Sequence, residues 1–231
     1  MNVTYPVAAV AELIGEPARA AILIALGDGR ALAASELAMA AGVSQQSASS
    51  HLSKLVVGGL LSVQSEGRYR YYRLSSPEVV NAIEALGAIS TRPLRPDARR
   101  PPETVAFYNI RMCYDHLAGR VAVDLARVLE EFKVIRVDGE RDYELAPEGQ
   151  TWFKRLGVDT DALRGLRRSF ARRCLDWTER KPHLAGALGA ALFSRLVALG
   201  WVVPPPRTRA VRITHRGARE MEDRFGIVAH V

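Results

Sequence analysis

At 231 residues the chain can hold one large domain or two small ones, each burying its own core. Two cysteines, Cys113 and Cys174, exclude a disulfide scaffold, and no basic start followed by a sustained apolar run marks a signal peptide or membrane span, so a reduced, cytoplasmic protein with no membrane association is expected. The formal charge of +7 invites a nucleic-acid reading, but residues 1–90 hold six basic residues (Arg19, Arg30, Lys54, Arg68, Arg70, Arg73) against seven acidic ones, so bulk charge makes no case for DNA in that part.

From the N-terminus, Val7 to Ile14 and Arg19 to Leu26 carry apolar residues at helical spacing, separated by Gly15-Glu16-Pro17, with Pro17 suited to a first helical turn. A short helix is expected from Ser35, as N-cap, to Ala41. Gly42-Val43-Ser44 then supplies a tight turn, and Ser44 can cap a fourth helix from Gln45 to Val57, ended by Gly58-Gly59. LLSVQ, a turn at Ser65-Glu66-Gly67, and RYRYYRL read as a hairpin rich in β-branched and aromatic residues. A last helix follows Ser76-Pro77, from Glu78 to Ile89.

This order is that of a winged helix-turn-helix. A helix enters the major groove only when its leading face is short and polar. Ser44, Gln45, Gln46, Ser47, Ser49, Ser50, His51 and Lys54 meet that need, while Val43, Ala48, Leu52 and Leu55 fall on the inner face. Arg68, Arg70 and Arg73 on the hairpin are the cations expected to reach phosphate.

With these residues assigned, "GEPARAAILIAL" at 15–26, "SELAMAAGVSQQSASSHLSKLVVGGLL" at 35–61 and "GRYRYYRLS" at 67–75 resemble the ArsR-type (ArsR/SmtB) repressors over about ninety residues. The resemblance implies a homodimer built through the first and last helices of this part. It also implies binding to a double-stranded inverted-repeat operator, release by an effector, and a reading face at Gln45, Ser47, Ser50 and His51. Two familiar metal sites do not carry over, because SELAMAAG has no cysteine and PEVVNAIEALGAIS has no histidine.

Residues 91–104, TRPLRPDARRPPET, with four prolines and no helical or strand period, read as a linker between 1–90 and 105–231. Beyond it, His116-Leu-Ala-Gly and His183-Leu-Ala-Gly each begin a helical pattern that runs into a strand near Val134 and Trp201, then a turn, a second strand and a short helix. Two winged-helix-like repeats are therefore expected in a mainly α fold with small β-hairpins (α+β). HLAGALGAAL is apolar nearly all round and must be buried, which argues for an effector-responsive or dimer-stabilising domain over a second reader of DNA. Residues 161–181 read as a basic helical stretch, solvated or paired with acids rather than a second DNA surface, and Trp152, Trp177 and Trp201 as core, or two of them as the lining of a cavity for an organic effector.

Cys113, Asp115 and His116, with Cys174, Asp176 and His183, are ligand types for zinc or another thiophilic metal. If the repeats pack about a pseudo-twofold axis, all six converge. The cysteines are open to two other readings, a regulatory disulfide or plain buried hydrophobes. No catalytic constellation, phosphate loop or dinucleotide fingerprint is present, so an enzyme is not expected. The function expected is a DNA-binding transcriptional regulator, a repressor released by a metal, redox or small-molecule effector. The alternative is a protein-interaction module that kept the winged fold without DNA binding.

Overall fold

Apolar spacing of three and four residues dominates the first ninety positions, and in the computed structural model it becomes a helical unit closed by a three-stranded sheet. The structure describes residues 6–67, 69–90, 102–204, 206 and 208–229. The chain divides into two units, Met1–Gly87 and Ala88–Val231.

The first unit runs α1 (Pro6–Gly15), α2 (Pro17–Ala25), β1 (Leu32–Ala33), α3 (Ala34–Ala41), α4 (Gln45–Val57), β2 (Leu61–Glu66), β3 (Tyr69–Leu74) and α5 (Pro77–Ile89), the order of a winged helix-turn-helix. Glu16 caps α2, its carboxylate accepting from the backbone N–H groups of Ala18 and Arg19 at 3.1 and 2.8 Å. The cap of α3 differs from expectation. Ser35 lies inside the helix, and Glu36 reaches back to accept from the N–H of Ala33 at 2.7 Å. The short strand β1, too brief for any sequence period, pairs with β3, giving the order β1-β3-β2. Ile22, Leu23, Leu26, Leu37, Leu52 and Leu55 are fully buried and form the core that fixes α4 against α2 and α3.

The second unit runs α6 (Pro102–Asn109), β4 (Arg111–Cys113), β5 (His116–Ala118), α7 (Arg120–Glu131), β6 (Ile135–Asp138), β7 (Asp142–Leu145), α8 (Pro147–Leu156), α9 (Thr160–Arg164), β8 (Arg172–Leu175), β9 (Pro182–Ala185), α10 (Gly186–Ala198), β10 (Val202–Val203), β11 (Arg212–Ile213) and α11 (His215–Phe225). The order strand, helix, hairpin, helix follows each His-Leu-Ala-Gly. Both histidines lie on strands rather than at the start of helices, and the helices begin at the glycines. The basic stretch 161–181 is likewise not one helix: α9 ends at Arg164, and the chain extends into β8.

Strands β6, β7, β8 and β9 form one antiparallel sheet, and β4 pairs with β5. Helix α7, which follows β5, packs on β9, and helix α10, which follows β9, packs on β5. The core between them includes Val121, Leu129, Ile135, Phe153, Leu188, Leu196 and Trp201. Seven residues of α10 are buried, Gly186 and Leu188 among them, in line with its apolar sequence. Gly119 and Gly186 both adopt positive φ, +90° and +78°. A Cβ there would stand 2.8 Å from the carbonyl oxygen of Tyr108 and 2.7 Å from that of Ser169, so only glycine admits these close approaches.

Candidate functional site

The first site grows from the turn between α3 and α4. Gly42 ends α3 in the left-handed conformation, and Ser44 starts α4 by accepting the N–H of Ser47 at 3.2 Å. Ala48, Leu52 and Leu55 are fully buried, which turns Ser44, Gln45, Gln46, Ser49, Ser50 and Lys54 outward as exposed side chains. Ser47 is half-buried. His51 is also half-buried, its Nδ1 3.3 Å from Oε2 of Glu16, the residue that caps α2. The side chain expected to face a base or phosphate thus stands beside the carboxylate that caps α2.

The wing departs from expectation in its detail. β2 and β3 pair in register from Leu61↔Leu74 to Glu66↔Tyr69, so the strand continues through Ser65 and Glu66, which sequence places in the turn. Along β3 successive side chains alternate faces. Arg70 lies on the face of buried Tyr72, its guanidinium carbon 5.8 Å from that ring's centre, whereas Arg73 lies on the opposite face and donates to Ser62 Oγ at 3.3 Å. The two cations sit on different sides of one ribbon. Arg68 lies outside the described residues.

The second site lies within the second unit. Cys113 and His116 face each other across the tight hairpin β4–β5, and Cys174 and His183 do so across β8–β9. A strand pair, not a single helix, thus carries each Cys–His couple. The four ligand atoms all lie within 4.8 Å of one another, and the two Nε2 atoms are 3.2 Å apart. Cys113, His116 and His183 are buried and Cys174 is half-buried. The neighbouring Cys174 thiol, together with burial, pushes the Cys113 thiol up to about 12.

Asp115 and Asp176, expected among the converging ligands, stand behind the histidines instead. Asp115 Oδ1 is 3.4 Å from His116 Nδ1, and Arg168 donates to Asp115 at 2.5 and 3.3 Å. That guanidinium holds the Asp115 carboxyl below the usual carboxylate range. Asp176 Oδ2 is 3.8 Å from His183 Nδ1. Burial alone would raise the Asp176 carboxyl, but Arg111, the Thr178 hydroxyl and the N–H groups of Gly119 and Glu179 together draw it well below the ordinary value. Sequence reasoning missed Arg111 and Gly119's N–H, and read Arg168 only as one of a run of arginines solvated or paired with acids. Nothing in NIRMCYD distinguishes Arg111 from a surface cation, because its partner lies 65 residues away.

A helix-turn-helix domain family matches residues 14–64. Over 221 residues, 96% of this chain and 97% of the relative, the sequence is 40% identical to an uncharacterized HTH-type transcriptional regulator, YdfF, of Bacillus subtilis strain 168. Among solved structures, HlyU of Vibrio cholerae is 30% identical and covers 38% of this chain and 90% of its own, with a TM-score of 0.34. The homodimeric winged helix-turn-helix DNA-binding domain Mb0332 of Mycobacterium bovis is 30% identical, covering 37% of this chain and 85% of its own, with a TM-score of 0.32.

Proposed function

Since the chain belongs to the HTH-type transcriptional regulators and is a DNA-binding regulator of transcription, we propose that it acts as a cytoplasmic, non-enzymatic homodimeric repressor, reading an inverted-repeat operator and released by an effector sensed in its second unit. The observation that carries this reading is α4: a capped helix with Ala48, Leu52 and Leu55 fully buried and Gln45, Gln46, Ser49 and Ser50 exposed beside it. Those side chains offer short donors and acceptors to base edges, and Lys54, Arg70 and Arg73 offer cations to phosphate.

Dimerisation is supported by what the first unit leaves uncovered. Helix α1, PVAAVAELIG, contains no buried residue, and Val7 is 72% exposed. Leu86 of α5 is exposed too. Apolar helix faces of this kind call for a second surface, and a second copy supplies one with matching faces. Two copies related by a twofold axis then read two half-sites about one helical turn apart.

The test is selection of bound duplexes from a random-sequence pool by the full chain, followed by titration of the winner at about 50 and 200 mM salt, across which several phosphate contacts lose orders of magnitude in affinity. A palindromic consensus with a steep salt slope is expected. A pool that yields no consensus would overturn operator recognition in favour of a protein-interaction role.

A further inference from the structure

We infer that Cys113, His116, Cys174 and His183 form a closed four-coordinate site for one thiophilic divalent cation of the zinc type, set between the two hairpins that open the two halves of the second unit. The proposal does not depend on how α4 reads DNA.

Three observations carry it. The first is the donor set. Two sulfurs and two imidazole nitrogens make a full tetrahedral complement, with no open position for a substrate, as in structural rather than catalytic zinc sites. Zn–N near 2.0–2.1 Å and Zn–S near 2.3 Å place tetrahedral ligand atoms about 3.3–3.8 Å apart. The Nε2 atoms already stand at 3.2 Å and the widest pair at no more than 4.8 Å, so small side-chain rotations close the site.

The second observation is the orientation of the imidazoles. Each has a carboxylate on its Nδ1 side: His116 Nδ1 is 3.4 Å from Asp115, whereas His183 Nδ1 is 3.8 Å from Asp176 and makes no hydrogen bond among the described residues. A carboxylate favours the tautomer with hydrogen on Nδ1, which leaves a lone pair on Nε2. The two Nε2 atoms stand 3.2 Å apart, close enough to share one hydrogen bond or to ligate one cation. One shared proton could serve the nitrogens but would leave the sulfurs idle. A cation engages all four.

The third observation is the scaffold. Cys113↔His116 and Cys174↔His183 are both cross-strand pairs, and β5 lies beside β9. The same pair geometry thus occurs twice, face to face, and the positive-φ glycines that end β5 and β9 start the helices packed on each other's strand. Binding balances as one M²⁺ taken up and two thiol protons released to solvent, the sulfurs entering as thiolates.

The experiment uses the full chain, reduced and stripped of metal, titrated with Co²⁺ and then with Zn²⁺ in competition. Saturation at one ion per chain is expected, with the visible absorption of tetrahedral cobalt, a near-ultraviolet thiolate-to-cobalt band and two protons released. Zinc should then abolish the cobalt spectrum and protect both thiols from alkylation. Cys174→Ser, at the half-buried position, should cut the thiolate band to about half, one of two thiolates remaining, and weaken binding by more than the about 10–100-fold expected of an outer-shell change. Asp115→Asn, at a half-exposed residue that keeps the fold, should give that 10–100-fold loss while retaining the tetrahedral spectrum. No saturable cobalt uptake by the reduced wild-type chain would overturn the site and leave a proton between the histidines. Binding unaltered in Cys174→Ser, with circular dichroism showing the variant folded, would overturn it as well.

Discussion

The guanidinium of Arg111 and the carboxylate of Asp176 form an ion pair inside the second unit, with Nη2 3.0 and 2.9 Å from the two oxygens and both side chains at most 1% exposed. Phe107 and Trp177 flank the guanidinium carbon at 5.2 and 5.8 Å from their ring centres. Asp176 also accepts the N–H of Gly119 at 2.7 Å, so one carboxylate joins β4, the start of α7 and the chain after β8. Removing one partner strands the other charge in the core, and Arg111→Met should lower stability by about 3–5 kcal/mol. Arg111→Met with Asp176→Leu should recover part of that loss, read by urea unfolding and by hydrogen exchange in α7. A single substitution no more costly than about 1 kcal/mol would show that the pair is not what organises this region.

On α4, Gln45→Ala and Ser50→Ala should each weaken operator binding by about 1–3 kcal/mol without lowering the unfolding midpoint, because both side chains are exposed. Glu16→Ala should do the reverse in the first instance. It removes the cap of α2, costing about 1 kcal/mol of stability, and releases His51. In a double-mutant cycle His51→Ala and Glu16→Ala should be non-additive. Additive effects would mean that His51 acts on DNA independently of α2.

Arg70→Ala and Arg73→Ala should each reduce the salt dependence of DNA binding by about one phosphate contact if both faces of the ribbon touch the backbone. Their alternation across β3 makes unequal effects the informative outcome. The arginine whose loss leaves the slope unchanged marks the face turned away from DNA.

Gly119→Ala and Gly186→Ala combine a left-handed backbone with a Cβ under 3 Å from a carbonyl oxygen, so each should cost more than the about 1–3 kcal/mol of backbone strain alone. Thermal unfolding measures it. Tolerance of either alanine would show that the helix following it can withdraw from the neighbouring chain.

Tyr143 is buried and donates to Glu130 Oε1 at 3.1 Å, and burial followed by that carboxylate pushes its phenol up to about 12. The folded state therefore favours the neutral phenol. Its contribution is complete below the unfolded value of about 10 and is lost as pH rises through about 12. Tyr143→Phe should be less stable than wild type by about 1 kcal/mol at neutral pH, and the gap should close between about pH 10 and 12. A gap that stays constant over that window would show that the phenol ionises equally in both states.

Much of the first unit was legible because its signals are short-range. The Ser44 cap, the Gly42 turn, the apolar period of α4 and the alternation of β3 each act within a few residues. Errors fell where a local rule had a close competitor. Glu36 outdid Ser35 because a longer side chain reaches back to the free N–H of Ala33. His116 and His183 sit on strands of three and four residues, below the length at which a period of two can be separated from one of 3.6.

The repeated His-Leu-Ala-Gly was visible in the letters, and it pointed to convergence of the two cysteines and histidines. The roles within that cluster were not visible. Residue type alone makes Asp115 and Asp176 as good ligands as their neighbours, and only the fold sets them on the far side of the imidazoles, one held by Arg168 and the other by Arg111. The sequence by itself determined the helix-turn-helix, the wing and the kinds of donor available, since caps, turns and periods are written in neighbouring residues. Which donors meet was decided by antiparallel register and by helices packed on each other's strands, contacts spanning more than sixty residues that no local pattern specifies.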